Sequence, residues 1–210
     1  MVRSVDGGVV ECPMVVRDLF HRRWAAAVVA SVHGAWMTGD PTGARAAGLA
    51  HGLGASREVL RQTIEFAVAH GWVRRNPGFG HPLRPEFVLT ARGEGIAPAC
   101  EVIVREAARA GGEVLLSKWG GPIVWVLGSR GVGRAAGNGG GSRAMRFGEI
   151  RAALPGVTDR ALARALADLT SSGWARRRVA GERPPRVEYR AMARACRVGV
   201  VLDGLAASLG

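Results

Sequence analysis

The hydrophobic pattern of the chain changes period in the same order in both halves. Apolar residues recur at helical spacing over residues 60–67 and again over residues 162–169, which predicts a buried helix face in each half. Both stretches lead to a Gly-Trp pair, Gly71-Trp72 and Gly173-Trp174, beyond which short strand-like segments flank a turn-rich connection. The pattern therefore predicts a helix followed by a two-stranded ribbon in each half.

Further helical segments complete each half. In the first half we predict helices over 24–32 and 44–52, a third helix from Ser56 to Gly71, strands over 72–75 and 86–89, and a closing helix over 97–110. In the second half we predict helices over 119–127 and 146–154, a third helix from Thr158 to Gly173, strands over 174–178 and 186–189, and a closing helix over 193–209. Ser56 and Thr158 can cap the third helices by accepting hydrogen bonds from free backbone donors. Helices followed by a β ribbon are typical of a winged helix, so the predicted fold class is mainly α with small β wings (α+β).

The two halves are also related in sequence. At a shift of 102 residues, ten of the 36 residues in 57–92 are identical to their counterparts in 159–194. The matches include Trp72 with Trp174 and Glu86 with Glu188. Self-similarity of this kind indicates a duplicated unit. We therefore expect two tandem winged helix-turn-helix domains, over residues 1–111 and 112–210, related by a pseudo-two-fold axis.

The charge of the chain narrows the class of its partner. Lys and Arg number 29 against 17 Asp and Glu, a formal net charge of +12, which suits a polyanion such as nucleic acid or an anionic membrane surface. The longest apolar runs are too short to span a bilayer and no signal peptide is recognisable, so we expect a cytoplasmic protein. The three cysteines and five histidines show neither a disulfide framework nor metal-ligand spacing. Because no catalytic constellation can be assembled either, we expect a DNA-binding protein without a cofactor rather than an enzyme.

Several stretches of the second half carry a family signature. Residues 118–119 read KW, residues 146–158 read RFGEIRAALPGVT and residues 185–189 read PRVEY. This combination resembles the HxlR family of bacterial winged-helix transcriptional regulators, and so do Cys12-Pro13 and Arg23-Trp24 in the first half. Residues 45–54 lack the corresponding signature. The resemblance implies a regulator that binds a two-fold operator as a dimer, so two fused units are expected to act either as a monomeric pseudo-dimer or as a homodimer.

The geometry that the resemblance implies assigns DNA contacts to the third helix and the ribbon. The third helix of such a unit enters the major groove, where Arg and Gln pair with guanine and adenine edges. Arginines of the wing contact phosphates or the minor groove. The predicted contacts are Ser56, Arg57, Arg61, Gln62, Arg74, Arg75 and Arg84 in the first half and Thr158, Arg160, Arg164, Arg176, Arg177, Arg183 and Arg186 in the second. We therefore expect double-stranded DNA as the partner. Because the predicted base contacts differ between equivalent positions of the two copies, we expect its two half-sites to differ, which makes the operator an imperfect inverted repeat.

Three further residues are candidates for regulation. Trp36 and Trp125 have no counterpart in the other copy, so either they line an apolar pocket between the copies for a small aromatic effector or they pack in the cores. Cys12 resembles the N-terminal cysteine with which some relatives sense oxidants. It is either such a sensor, which requires an accessible thiolate of lowered pKa, or an inert residue. The competing function is a winged-helix protein that binds a small hydrophobic molecule, as in drug sequestration, or a protein partner.

Overall fold

The computed structural model describes residues 10–39, 44–76, 86–132, 143–181 and 185–209. The chain divides into two compact units, which we call the N-terminal unit (Arg22–Val104) and the C-terminal unit (Arg105–Gly210 together with Met1–His21). Residues 10–21 therefore pack with the second half of the chain, whereas the domain boundary expected from the sequence assigned them to the first. Within the described ranges no helix is both long and apolar enough to cross a membrane.

Helices and short antiparallel strands follow one another along the described residues. In chain order the elements are α1 (Met14–Leu19), α2 (Ala25–Met37), α3 (Ala46–Leu53), α4 (Arg57–Ala69), β1 (Val73–Asn76), β2 (Glu86–Leu89), α5 (Ala91–Ala107), a 3-10 helix (Glu113–Leu116), α6 (Gly120–Val132), β3 (Met145–Arg146), α7 (Phe147–Ala152), α8 (Asp159–Ser171), β4 (Ala175–Ala180), β5 (Arg186–Ala191) and α9 (Ala193–Leu209). This part of the chain is thus mostly helical with small antiparallel sheets, which confirms the coarse fold class predicted from the hydrophobic pattern.

The ends of several elements differ from the prediction. Helix α5 begins at Ala91, six residues before the predicted closing helix, because the hydroxyl oxygen of Thr90 accepts from the N–H of Gly93 at 3.1 Å and caps the helix there. Pro98 lies inside the helix and hides its true extent in the sequence. Helix α1, the 3-10 helix and β3 were not predicted, because elements of two to six residues are too short for a periodic pattern.

In the N-terminal unit α2, α3 and α4 pack on one another, and α2 and α4 pack against the β1–β2 hairpin. The strands are antiparallel, with Val73 opposite Leu89. Glu86 of β2 is only 3% exposed, and its carboxylate accepts from Arg45 Nη2 at 2.7 Å and from Nε at 3.1 Å. This ion pair joins the residue before α3 to β2, and it compensates the cost of burying the carboxylate.

The C-terminal unit is built on the closely packed helices α6 and α9, and α1 also packs on this pair. A Cβ added at Gly199 would lie 2.8 Å from the Cα of Gly128, so the two helix backbones are in contact at these glycines. The sheet has the strand order β3-β5-β4. Trp174, between α8 and β4, is fully buried, and its indole N–H donates to the carbonyl of Gly111 at 2.8 Å.

The two units share an order of elements in which a short helix and a capped helix precede a hairpin and a closing helix. This order agrees with the internal similarity of the sequence. The superposition of the two units and the pseudo-two-fold axis remain predictions.

Candidate nucleic-acid interface

Helix α8 of the C-terminal unit has one apolar face and one exposed face that carries two arginines and two aspartates. Its start is fixed by Thr158, whose hydroxyl oxygen accepts from the N–H of Ala161 at 3.2 Å. The three leucines of the helix are buried, so the opposite side of the helix faces solvent. Arg160 and Arg164 lie on this exposed side, one turn apart.

These two arginines are available for a partner. Neither Arg160 nor Arg164 has a hydrogen-bond or ion-pair partner among the residues that the structure describes. The carboxylate of the neighbouring Asp159 binds Arg151 of α7 instead, at 2.6 Å. Unpaired guanidinium groups on an exposed helix have the donor geometry that bidentate contact with guanine requires.

The β4–β5 ribbon beside α8 is also basic. Arg176, Arg177 and Arg178 are consecutive on β4, and all three are exposed. Because successive side chains of a strand point to opposite faces, both faces of the ribbon carry positive charge. Arg186 is exposed at the start of β5, and Arg183 lies outside the described residues. The exposed arginines of the ribbon are suited to phosphate contacts.

The corresponding helix of the N-terminal unit, α4, has an exposed face that is already ion-paired. Arg61 donates from Nη2 to Glu58 at 2.6 Å and from Nη1 to Glu65 at 2.7 Å. Gln62 also donates to Glu58, at 2.7 Å. The hydrogen bonds from Arg61 and then from Gln62 lower the pKa of Glu58 to about 2. Arg61 and Gln62, both predicted to read bases, would therefore have to leave these carboxylates to contact DNA.

The remaining predicted contacts of the first half are on the surface wherever the structure describes them. Ser56 caps α4 by accepting from a backbone N–H of the first turn at 3.3 Å. Arg57 at the start of α4 and Arg74 and Arg75 on β1 are exposed, and Arg84 lies outside the described residues. The first half thus offers basic groups on both its helix and its ribbon.

A cavity of about 390 Å³ opens beside these arginines in the N-terminal unit. Its lining comes from α3, α4 and both strands: Ala46, Ala47, Ala50, Arg57, Leu60, Arg61, Ile64, Arg75 and Phe87. Sequence reasoning missed this cavity. The signal in the sequence was that residues 45–54 lack the signature of the other half and are rich in alanine and glycine, so that α3 carries small side chains.

Trp36 and Trp125 are each hydrogen-bonded within their own unit. The indole N–H of Trp36, which is 41% exposed, donates to the carbonyl of Phe87 at 2.8 Å. Trp125 is 4% exposed, and its indole N–H donates to Asp203 Oδ1 at 2.8 Å. Burial raises the pKa of the Asp203 carboxyl, and this hydrogen bond opposes the rise. Trp125 is therefore a core residue of the C-terminal unit, and an effector pocket between the copies stays a prediction.

Cys12 lies in an environment opposite to the one a redox sensor needs. It is 2% exposed, and its backbone N–H donates to the carbonyl of Ala153 at 2.8 Å. Burial raises the pKa of its thiol to about 12, and the charge of Arg17 opposes this only in part. A sensor requires an accessible thiolate, which the buried Cys12 does not provide. In the same described ranges, no three His, Cys, Asp or Glu side chains are placed to hold a metal ion.

The order of α7, α8 and the β4–β5 ribbon, with β3 on its edge, is consistent with a winged helix-turn-helix, a class of proteins that bind DNA. Within that class, residues 140–208 match the HxlR-like helix-turn-helix family. The match spans α7 to α9 and the ribbon of the C-terminal unit. This match supports, for residues 140–208, the resemblance that the sequence shows.

Two known proteins are similar to parts of the chain. An uncharacterised helix-turn-helix transcriptional regulator of Methanothermobacter thermautotrophicus is 44% identical over 61 residues, which are 29% of this chain and 47% of that protein. The chain therefore spans about half the length of this relative. A solved structure from Porphyromonas gingivalis W83, assigned to the MarR family of transcriptional regulators, aligns over 45% of this chain and 80% of its own with 25% identity and a TM-score of 0.37. Both the family match and the first relative are helix-turn-helix proteins by description.

Proposed function

We propose that this protein is a transcriptional regulator that binds double-stranded DNA through α8 and the β4–β5 ribbon of its C-terminal unit. The observation that carries the proposal is the pair Arg160 and Arg164, exposed on a capped helix and, among the described residues, without a partner. Such side chains can read guanine edges in the major groove. The arginines at residues 176–178 would supply the sequence-independent part of the affinity by neutralising phosphates.

An arginine that reads bases and an arginine that contacts phosphates should affect DNA affinity differently when each is replaced. The difference can be measured once a preferred duplex has been selected from a random pool. Arg164→Ala should weaken binding to the selected duplex by about 1–3 kcal/mol and change binding to random duplexes little. Arg177→Ala should weaken both and reduce the slope of log K against log salt by about 1. Fluorescence anisotropy over a salt series measures both quantities. Arg105→Ala, exposed at the end of α5, is the matched control and should match the parent protein.

The result that would overturn the base-reading role is an equal loss on selected and random duplexes for Arg164→Ala. Affinity unchanged by both Arg164→Ala and Arg177→Ala would overturn the whole proposal.

We further propose that the N-terminal unit contacts a second half-site, so that the operator is an imperfect inverted repeat. At the shift of 102 residues, Arg57, Arg61 and Gln62 stand where the other copy has Asp159, Ala163 and Arg164. The exposed groups on the two third helices are therefore different, which supports different half-sites. Both units have a capped helix followed by a ribbon with exposed arginines, and this shared order supports the same mode of docking on DNA for the two units.

The ion pairs on α4 allow a test of this second contact. Glu58→Gln removes a negative charge from the face of α4 and frees one side of Arg61, so affinity for the selected duplex should rise about threefold or more. Glu94→Gln, an equal change of charge on α5 of the same unit, is the control for net charge. A rise no larger than that of the control would mean that α4 does not lie at the DNA.

A further inference from the structure

The cavity of the N-terminal unit combines an apolar wall with a cationic rim. Leu60, Ile64 and Phe87, together with three alanines of α3, form the apolar part, and three arginines stand around it. The volume of about 390 Å³ is within the range of small-molecule sites, which are mostly apolar with a few orienting polar groups.

The cavity has an origin in the repeated sequence. Helices α3 and α7 each begin directly after an arginine, Arg45 and Arg146, which pairs through its backbone with a glutamate in the second strand of the hairpin. The two glutamates, Glu86 and Glu188, are aligned by the shift of 102 residues. The starts of the two helices are therefore equivalent, and this position carries Ala46 in α3 but Phe147 in α7. A methyl group thus stands in the N-terminal unit where the other copy has a phenyl ring, which leaves room between α3, α4 and the strands.

The charge at the rim is incompletely compensated. Arg61 is bound by Glu58 and Glu65. Arg57 and Arg75 have no hydrogen-bond or ion-pair partner within the described part of the chain. Two guanidinium groups at the edge of an apolar cavity provide the donors that hold a carboxylate, and Arg can do so with two parallel hydrogen bonds.

We propose that this cavity binds a small arylalkanoate, a carboxylate joined to an apolar aromatic body. The aromatic body packs on Ala46, Leu60 and Phe87, and the carboxylate binds Arg57 or Arg75. A ligand of about 12 non-hydrogen atoms is suited to a site of this size. The site lies wholly within the N-terminal unit and does not depend on the proposed DNA contacts of α8.

Isothermal titration of the full chain with 4-phenylbutyrate tests the proposal, and 4-phenylbutan-1-ol serves as the uncharged analogue. We expect saturable binding of the acid to one site, and binding of the alcohol that is weaker by about tenfold or more. Ala46→Phe, which places the phenyl ring of the other copy in the cavity, should weaken binding of the acid by about tenfold or more. The double variant Arg57→Gln/Arg75→Gln should do the same without filling the cavity.

Matched variants separate these effects from general damage. Ala69→Phe adds a ring at an exposed position of α4 outside the lining, and Arg92→Gln removes an exposed charge from α5; both should keep the affinity of the parent. If Ala46→Phe does not fold, the arginine double variant decides. No saturable binding, equal binding of acid and alcohol, or an affinity unchanged by the cavity variants would each overturn the proposal. Arg164→Ala should leave acid binding intact, so failure of the ligand site and failure of the DNA-binding proposal are distinguishable.

Discussion

Helices α6 and α9 approach so closely that one added methyl group should force them apart. A Cβ at Gly199 would lie 2.8 Å from the Cα of Gly128, 3.0 Å from its carbonyl carbon and 3.0 Å from the backbone nitrogen of Ser129. All three are backbone atoms, which cannot rotate out of the way as a side chain can. We therefore predict that Gly199→Ala destabilises the C-terminal unit relative to a glycine replacement in open space, although alanine is the better helix former.

The matched control lies in the same helix. A Cβ at Gly204 would meet nothing within 4 Å, and this position is exposed. Gly204→Ala should therefore raise the free energy of unfolding by about 0.5–1 kcal/mol through helix propensity alone. Gly199→Ala has the same propensity gain but loses about 1–3 kcal/mol to overpacking, so the two variants should differ by about that loss.

Urea unfolding followed by circular dichroism at 222 nm measures this difference through the midpoints and slopes of the two variants. In thermal melts, 1 kcal/mol corresponds to a shift of about 2–4 °C for a chain of this size. Equal stability of Gly199→Ala and Gly204→Ala would refute the reasoning, because it would mean that the helix backbones are not in contact at these glycines.

Three further predictions concern ionisable side chains that are buried or partly buried. Arg45→Ala should lower the free energy of unfolding by about 3 kcal/mol, because the buried carboxylate of Glu86 loses its ion partner; a loss below about 1 kcal/mol in urea titrations would contradict this. Asp203→Asn should stabilise the protein at pH 7, because burial raises the pKa of this carboxyl and so disfavours its charged form in the folded state. This gain in stability should vanish as the pH falls below the ordinary carboxyl pKa, because Asp203 of the parent protein is then neutral in the folded and the unfolded state. Thermal melts between pH 3 and 8 measure the gain, and a gain that grows on acidification would contradict the prediction. Iodoacetamide at pH 8 should modify the half-buried Cys196 before Cys12, whose buried thiol has its pKa raised to about 12; peptide mass spectrometry follows both, and equal rates would disprove the difference.

Much of the candidate DNA interface could be predicted from the sequence, because its signals are local. The cap at Thr158 and the helical spacing of apolar residues indicate both the start of α8 and the face that carries Arg160 and Arg164. The ion pairs of Arg61 were also readable, since Glu58 and Glu65 lie three and four residues away on the same helix. Arg61 was predicted as a base contact from the docking geometry of the family alone, without regard to the two neighbouring glutamates.

Other features depended on residues far apart in the chain. The cavity requires that Ala46, Arg75 and Phe87, from three different elements, meet around one space. The burial of Cys12 requires that the segment before α1 pack against residues near 153, more than a hundred positions away.

The sequence by itself determined the periodicities, the helix caps, the basic surface and the duplicated pattern of this protein. Each of these depends on residue identity or on neighbours within about four positions, where backbone geometry alone sets which side chains meet. Only the tertiary structure decided the contact between Gly128 and Gly199, the inaccessible thiol and the cavity beside α3. The physical reason is that burial and close approach depend on which faces of separate elements pack together, and many arrangements of the same amphipathic elements satisfy one sequence pattern.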